Sequence, residues 1–160
     1  MPALTPFRAG GLVALLAVVL DYLTKWWILD VAMAPPRRIE VTGFFDLVLV
    51  MNRGVSFGMF GGGPEWVTAA LIVFALVLAA ALGIWMWRAD NLLLGTALGL
   101  VVGGALGNVI DRIRFGAVVD FLDFHIAGYH WPAFNVADSA ITVGVVLLIL
   151  DSLKSRPASP

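Results

Sequence analysis

Asp120 and Asp138 are the residues of this chain whose type and placement best suit chemistry. Asp120 lies in the run Val118-Val-Asp-Phe-Leu-Asp-Phe124, so it is surrounded by apolar neighbours. Desolvation in such a setting favours the protonated carboxyl. Asp138 lies eighteen positions after Asp120, and Pro132 lies between them to turn the chain. That length can return Asp138 to the side of Asp120. Two carboxyls in one site titrate as a pair, one protonated and one ionised. One member can then take a proton from water while the other polarises or protonates a carbonyl. On position alone, a structural polar network stays open beside this reading. Asp123 is the nearby acid that could be confused with either.

Other polar residues fall in equally apolar surroundings. Asp21 and Lys25 stand four apart, acid first, which is the favourable order for an ion pair on one helix face. Asn108-Val-Ile-Asp111 and Asn135-Val-Ala-Asp138 repeat a short pattern. In the second, Asn135 suits a helix N-cap and Asp138 suits the first turn that follows. In the first, Asp111 closes an apolar run, where a negative charge is unfavourable, and Arg112 directly after it is expected to offset it. Asn52-Arg-Gly54 has the composition of a tight turn, and Asn52 could also hydrogen-bond an extended ligand. His125 and His130 flank the loop between the two key acids, but their spacing fits no compact zinc motif. No metal is expected.

The elements that must position these groups are membrane spans. The 160 residues are 61% hydrophobic and 13% charged, with mean hydropathy +0.95. A soluble domain carries about 25% charged residues. The length predicts a single polytopic domain over residues 1–160. A net charge of −1 gives no reason to expect nucleic acid as a partner, and the absence of cysteine excludes thiol chemistry and disulfides. Four spans are predicted, at about 11–29, 66–87, 92–110 and 136–153, each near the ~20 residues a bilayer requires. Trp26, Trp27, Trp85 and Trp87 sit at span ends, as interfacial anchors do. Ala32-Met33-Ala34 resembles a signal-peptide cleavage site, but the preceding run is long and interrupted by charge, so the first span is expected to stay as an anchor.

Residues 37–64 predict a small β-cradle. Phe45–Met51 and Val55–Phe60 read as strands around the Asn52–Gly54 turn, and Gly61-Gly62-Gly63-Pro64 ends the segment. The expected fold class is an all-α membrane protein of four transmembrane helices with a small extracytoplasmic β-cradle. An even number of spans places both termini on one side. Both termini and Arg88 are expected in the cytoplasm, because Arg8 and the free N-terminus precede the first span, although the Lys/Arg count gives little help. Arg8, Arg88, Lys154 and Arg156 lie on the terminal side, against Lys25, Arg37, Arg38, Arg53, Arg112 and Arg114 on the other. With the termini inside, that is opposite to the positive-inside trend.

Together these pieces resemble the lipoprotein signal peptidase (signal peptidase II) family. The matching strings are DYLTK at 21–25, NRGVSFG at 52–58, GGALGNVIDR at 103–112, GAVVDF at 116–121 and FNVADSAITVG at 134–144. Each is weak alone; all five in order are specific. The resemblance implies an aspartic peptidase of the bacterial inner membrane with both termini cytoplasmic and its active site near the periplasmic face. It implies Asp120 and Asp138 as the catalytic pair. It implies Asn52, Gly54, Asn108, Arg112, Asn135 and Ala137 as pocket-shaping or substrate-binding residues, with Asp21, Lys25 and Asp111 in support. The implied substrate is a diacylglyceryl-modified prolipoprotein, cut on the amino side of its lipidated cysteine. No cofactor is implied, and membrane lipid is the other expected partner. A monomer is expected, since nothing in the chain reads as a dimer seam. Two rival readings are a proton-coupled carrier, which would also use intramembrane Asp and Lys, and a passive assembly subunit.

Overall fold

The computed structural model describes residues 4–54 and 65–154. Helix α1 spans Pro6–Trp27 and continues as one π-helical stretch over Ile28–Ala32. Strands β1 (Ile39–Thr42) and β2 (Phe45–Asn52) follow. Helix α2 spans Glu65–Trp87 and α3 spans Leu92–Phe115. Strands β3 (Val118–Ile126) and β4 (Tyr129–His130) lead to α4 (Val136–Lys154). Among the described residues, four helices are long and apolar enough to cross a membrane.

Two spans are longer than predicted, and local chemistry explains both. Thr5 accepts a hydrogen bond from the Arg8 backbone N–H and Pro6 opens the helix, so α1 starts before Gly11. Helix α3 runs beyond Ile110 until Gly116, which adopts φ +67° and donates its N–H to the Arg112 carbonyl. Asp111 and Arg112 are therefore inside the last turns of α3 rather than beyond its end.

Helix α3 is the centre of the bundle, with α1, α2 and α4 packed around it. Its side toward α1 is a row of glycines at every fourth position: Gly95, Gly99, Gly103 and Gly107. Opposite them on α1 stand Pro6, Gly10, Ala14 and Asp21. A Cβ added to Gly99 would lie 2.2 Å from the Gly10 carbonyl oxygen, and one on Gly95 would lie 2.3 Å from that of Pro6. The two backbones touch, as small residues allow in a membrane, where dispersion and close approach drive helix association. Gly104 does the same toward α4, where an added Cβ would lie 2.4 Å from the Ala137 carbonyl oxygen. The small residues at 103–107 thus serve close helix contact on two sides.

All strands sit at the end of the bundle away from Pro6, Arg88 and Lys154, because α1 and α3 lead into strands and α2 and α4 follow them. They form one antiparallel sheet in the order β1-β2-β3-β4. Ile28, Met33 and Phe121 make a core between this sheet and the end of α1. The expected strand Val55–Phe60 and the break at Gly61–Pro64 lie outside the described residues. The partners of β2 are β1 before it and β3 far along the chain. Strand β3 itself was not expected from the sequence. Val118 to Phe121 are all buried, so the run is covered on both faces and shows no alternation.

Candidate active site

Asp120 enters the site from β3 and Asp138 from the first turn of α4. Both line a cavity of about 400 Å³. Asn52, Asn108 and Arg112 share its polar end, and Leu71, Phe74, Leu78 and Ile141 form the apolar wall. The cavity is thus bounded by charge at one end and hydrocarbon along the helices.

Three asparagines hold the two carboxylates. Asn52 at the end of β2 donates from Nδ2 to Asp120 Oδ2 at 3.0 Å. Asn135 donates from Nδ2 to Asp120 Oδ1 at 2.7 Å, and to Asn108 Oδ1 at 3.2 Å. Asn108 donates from Nδ2 to Asp138 Oδ1 at 2.8 Å. The expected cap also forms. The Asp138 N–H donates to Asn135 Oδ1 at 2.9 Å, and the Asn135 N–H donates to Asp138 Oδ2 at 3.3 Å. This is a reciprocal capping box with Asp in the position usually held by Glu or Gln. Asp138 thus faces the cavity while it closes the helix end.

Beneath this layer lies a buried charge cluster. Lys25 is 3% exposed and its Nζ lies 2.7 Å from Asp21 Oδ2, 2.8 Å from Asp111 Oδ2 and 3.3 Å from Asn108 Oδ1. The predicted Asp21–Lys25 pair is present. The predicted offset of Asp111 by Arg112 is replaced by another arrangement: Asp111 pairs with Lys25 of α1 and accepts the Val119 N–H at 3.0 Å. Successive helical residues point in different directions, so Arg112 is poorly placed to meet Asp111. Arg112 instead donates to the Gly54 carbonyl at 3.0 Å, tying the end of β2 to α3. Ala137 donates its N–H to Asp21 Oδ1 at 2.8 Å and is fully buried.

Burial raises the Asp120 carboxyl from 3.8 to about 6. The Asn52 hydrogen bond opposes that rise, the nearby Asp138 charge adds to it, and Asn135 and Lys25 pull it back down. A raised value means the fold holds this proton more tightly than the unfolded chain does. That contribution to stability is whole below 3.8 and is lost as pH rises through about 6. A shift of this size corresponds to about 3 kcal/mol.

Asp123 lies elsewhere. It is three residues from Asp120 on a strand, so it faces the opposite side of the sheet. There it meets His130 Nδ1 at 2.8 Å, and the His125 and His130 rings stack with centroids 4.8 Å apart. Asp46, paired in register with Asp123, meets Arg38 and lies 3.0 Å from His125 Nε2. Burial pushes the Asp46 carboxyl up, but Arg38 and His125 together hold it below the usual range. Sequence reasoning missed this second cluster. It also missed the wall residues of α2, since that helix is apolar on every side and no face stands out.

Fold and site together define a class: a protein of four helices able to cross a membrane, with two carboxylates on one cavity. Relatives narrow the class. A family model described as Signal peptidase (SPase) II matches residues 13–154. A lipoprotein signal peptidase of Methylobacterium radiotolerans is 51% identical over 94% of this chain and 88% of its own. One from Beijerinckia indica is 45% identical over 97% of this chain and 93% of its own. A bacterial membrane enzyme solved by the in meso method at 2.3 Å resolution superposes with a TM-score of 0.78 at 33% identity, covering 94% of this chain and 93% of that one. The chain belongs to the signal peptidase II family. It is an aspartic peptidase and a multi-pass bacterial membrane protein. Nothing in these relatives supports a carrier.

Proposed function

We propose that Asp120 and Asp138 are the catalytic pair of an enzyme that removes the signal peptide from diacylglyceryl-modified prolipoproteins. The observation that carries this reading is the cavity itself, which joins both carboxylates to an apolar wall. The cut falls on the amino side of the lipidated cysteine. Such a substrate is half peptide and half lipid. The polar end, with Asn52 and Arg112, suits the extended peptide, and Leu71, Phe74 and Leu78 suit acyl chains. Gly54, held by Arg112, and Ala137, held by Asp21, keep the walls in place.

Asp120, whose carboxyl burial raises to about 6, is the acid, and Asp138 is the base. Asp138 takes a proton from water as the water oxygen bonds to the scissile carbonyl carbon. Asp120 gives its proton to the carbonyl oxygen. Collapse returns that proton to Asp120, breaks the C–N bond, and passes the proton on Asp138 to the leaving nitrogen. The site lies near the periplasmic face of the inner membrane with both termini cytoplasmic, and residues 1–160 act as one monomeric peptidase unit. Isolation of an obligate cross-linked dimer would sink the monomer assignment.

The functional test is direct. Purified protein should cleave a diacylglyceryl-modified prolipoprotein and leave the same protein without its lipid intact, read by gel shift. Equal cleavage of both would remove the lipid from the recognition. Orientation is tested separately. The chain has no cysteine, so single cysteines at Gly43 and Asp90 can be labelled in intact cells with an impermeant maleimide. Gly43 should label from outside and Asp90 should not; the reverse would invert the topology.

A further inference from the structure

We propose that Lys25 is a positioning residue of the catalytic pair: by holding the side-chain oxygen of Asn108, it fixes that amide with its nitrogen toward Asp138. The inference rests on Asp120 and Asp138 being the reacting carboxylates. An ammonium group has three donors. The ion pairs with Asp21 and Asp111 engage two of them, at 2.7 and 2.8 Å. The third goes to a neutral atom, Asn108 Oδ1, at 3.3 Å. A lysine present only for charge balance has no need of that contact.

The consequence lies in which way the amide points. Asn108 Oδ1 accepts from Lys25 and from Asn135, while Asn108 Nδ2 donates to Asp138 Oδ1 at 2.8 Å. The network of donors sets the orientation of an amide. Turned over, Asn108 would set its NH2 against the ammonium and its oxygen against a carboxylate. Both contacts are repulsive. Asn135 also favours the observed orientation, but through a neutral donor; a charged donor holds roughly twice as strongly. Lys25 does not line the cavity. It acts on Asp138 through Asn108.

A double-mutant cycle tests this. Lys25→Met, Asn108→Ala and the double variant are purified, and each is run with diacylglyceryl-prolipoprotein in excess over enzyme and long incubation so that slow turnover is read. Lys25→Met should lower kcat by up to about 10²-fold, the cost of a misplaced catalytic group, with KM little changed. In the Asn108→Ala background the same change should cost almost nothing more. Losses that multiply in the double variant would overturn the proposal, as would a Lys25→Met effect confined to KM. Removing Lys25 alone strands two buried carboxylates. Lys25→Met/Asp111→Asn keeps the net charge of the cluster at its wild-type value and is carried through the same cycle. Asp138→Asn runs beside it. Full activity there overturns the catalytic assignment, and with it the relay; multiplicative losses with Asp138→Asn inactive overturn the relay alone.

Discussion

Asp120→Asn and Asp138→Asn will each lower prolipoprotein cleavage by about 10²–10⁴-fold, the range that positioned acid and base groups supply. Neither change alters volume much. Asparagine at position 120 has one acceptor oxygen and so keeps one of the two hydrogen bonds that Asn52 and Asn135 donate there, and at position 138 it can still cap α4 through its oxygen. The folded protein should therefore survive, and the loss should fall on kcat. Asp123→Asn is the control: its carboxylate faces His130 on the other side of the sheet, so cleavage should continue at the wild-type rate. Full activity in either of the first two variants would show that the pair is misassigned even though the family stands. The same assignment fixes a pH dependence. Asp120 must carry its proton to act as the acid, so kcat/KM of the wild type should fall as pH rises through about 6. A profile that is flat across that pH would remove the proton-donor role from Asp120.

The second large effect is on folding. Gly99→Ala puts a methyl group 2.2 Å from the Gly10 carbonyl oxygen, and Gly10→Ala puts one 2.3 Å from Met86 Sδ and 2.4 Å from the Gly95 carbonyl oxygen. Backbone cannot yield as a flexible side chain can, so α1 and α3 must separate. Overpacking of this kind costs about 1–3 kcal/mol and at times more. Gly11 is adjacent in sequence, yet an added Cβ there meets nothing within 4 Å. Gly11→Ala should be neutral or stabilising by up to about 1 kcal/mol, since alanine is the better helix former. Thermal unfolding in detergent should lower Tm for Gly99→Ala and Gly10→Ala and leave Gly11→Ala unchanged or higher. Equal shifts in all three would mean that the contact between the helices does not stabilise the fold.

The contrast between Gly10 and Gly11 shows what the sequence could and could not tell. Length and hydropathy made the four helices legible, and Gly116 and Pro6 mark ends that composition alone left approximate. The Asp21–Lys25 pair and the Asn135–Asp138 box were legible because both partners lie within one helical turn. The partner of Asp111 was not, because Lys25 is 86 residues away and only the packing of α1 on α3 brings it near. For the same reason Asp120 and Asp138 could be named as candidates, while the three amides that join them could not be connected in advance. Strand β3 was hidden because burial on both faces erases the alternation that marks a strand.

The Asp21–Lys25 pair also bears on how this protein is made. Ribosomes deliver α1 long before α3, so Lys25 must enter the bilayer before Asp111 exists. An unpaired cation at that depth would resist insertion. Asp21, one turn earlier, already cancels it, so the first helix arrives with its charges balanced. Asp111 shares the last turns of its own helix with Arg112 and Arg114, and it meets Lys25 only when α3 docks on α1. The electrostatics thereby give assembly a direction: the first helix is a balanced template, and the third docks on it by bringing Asp111 to Lys25.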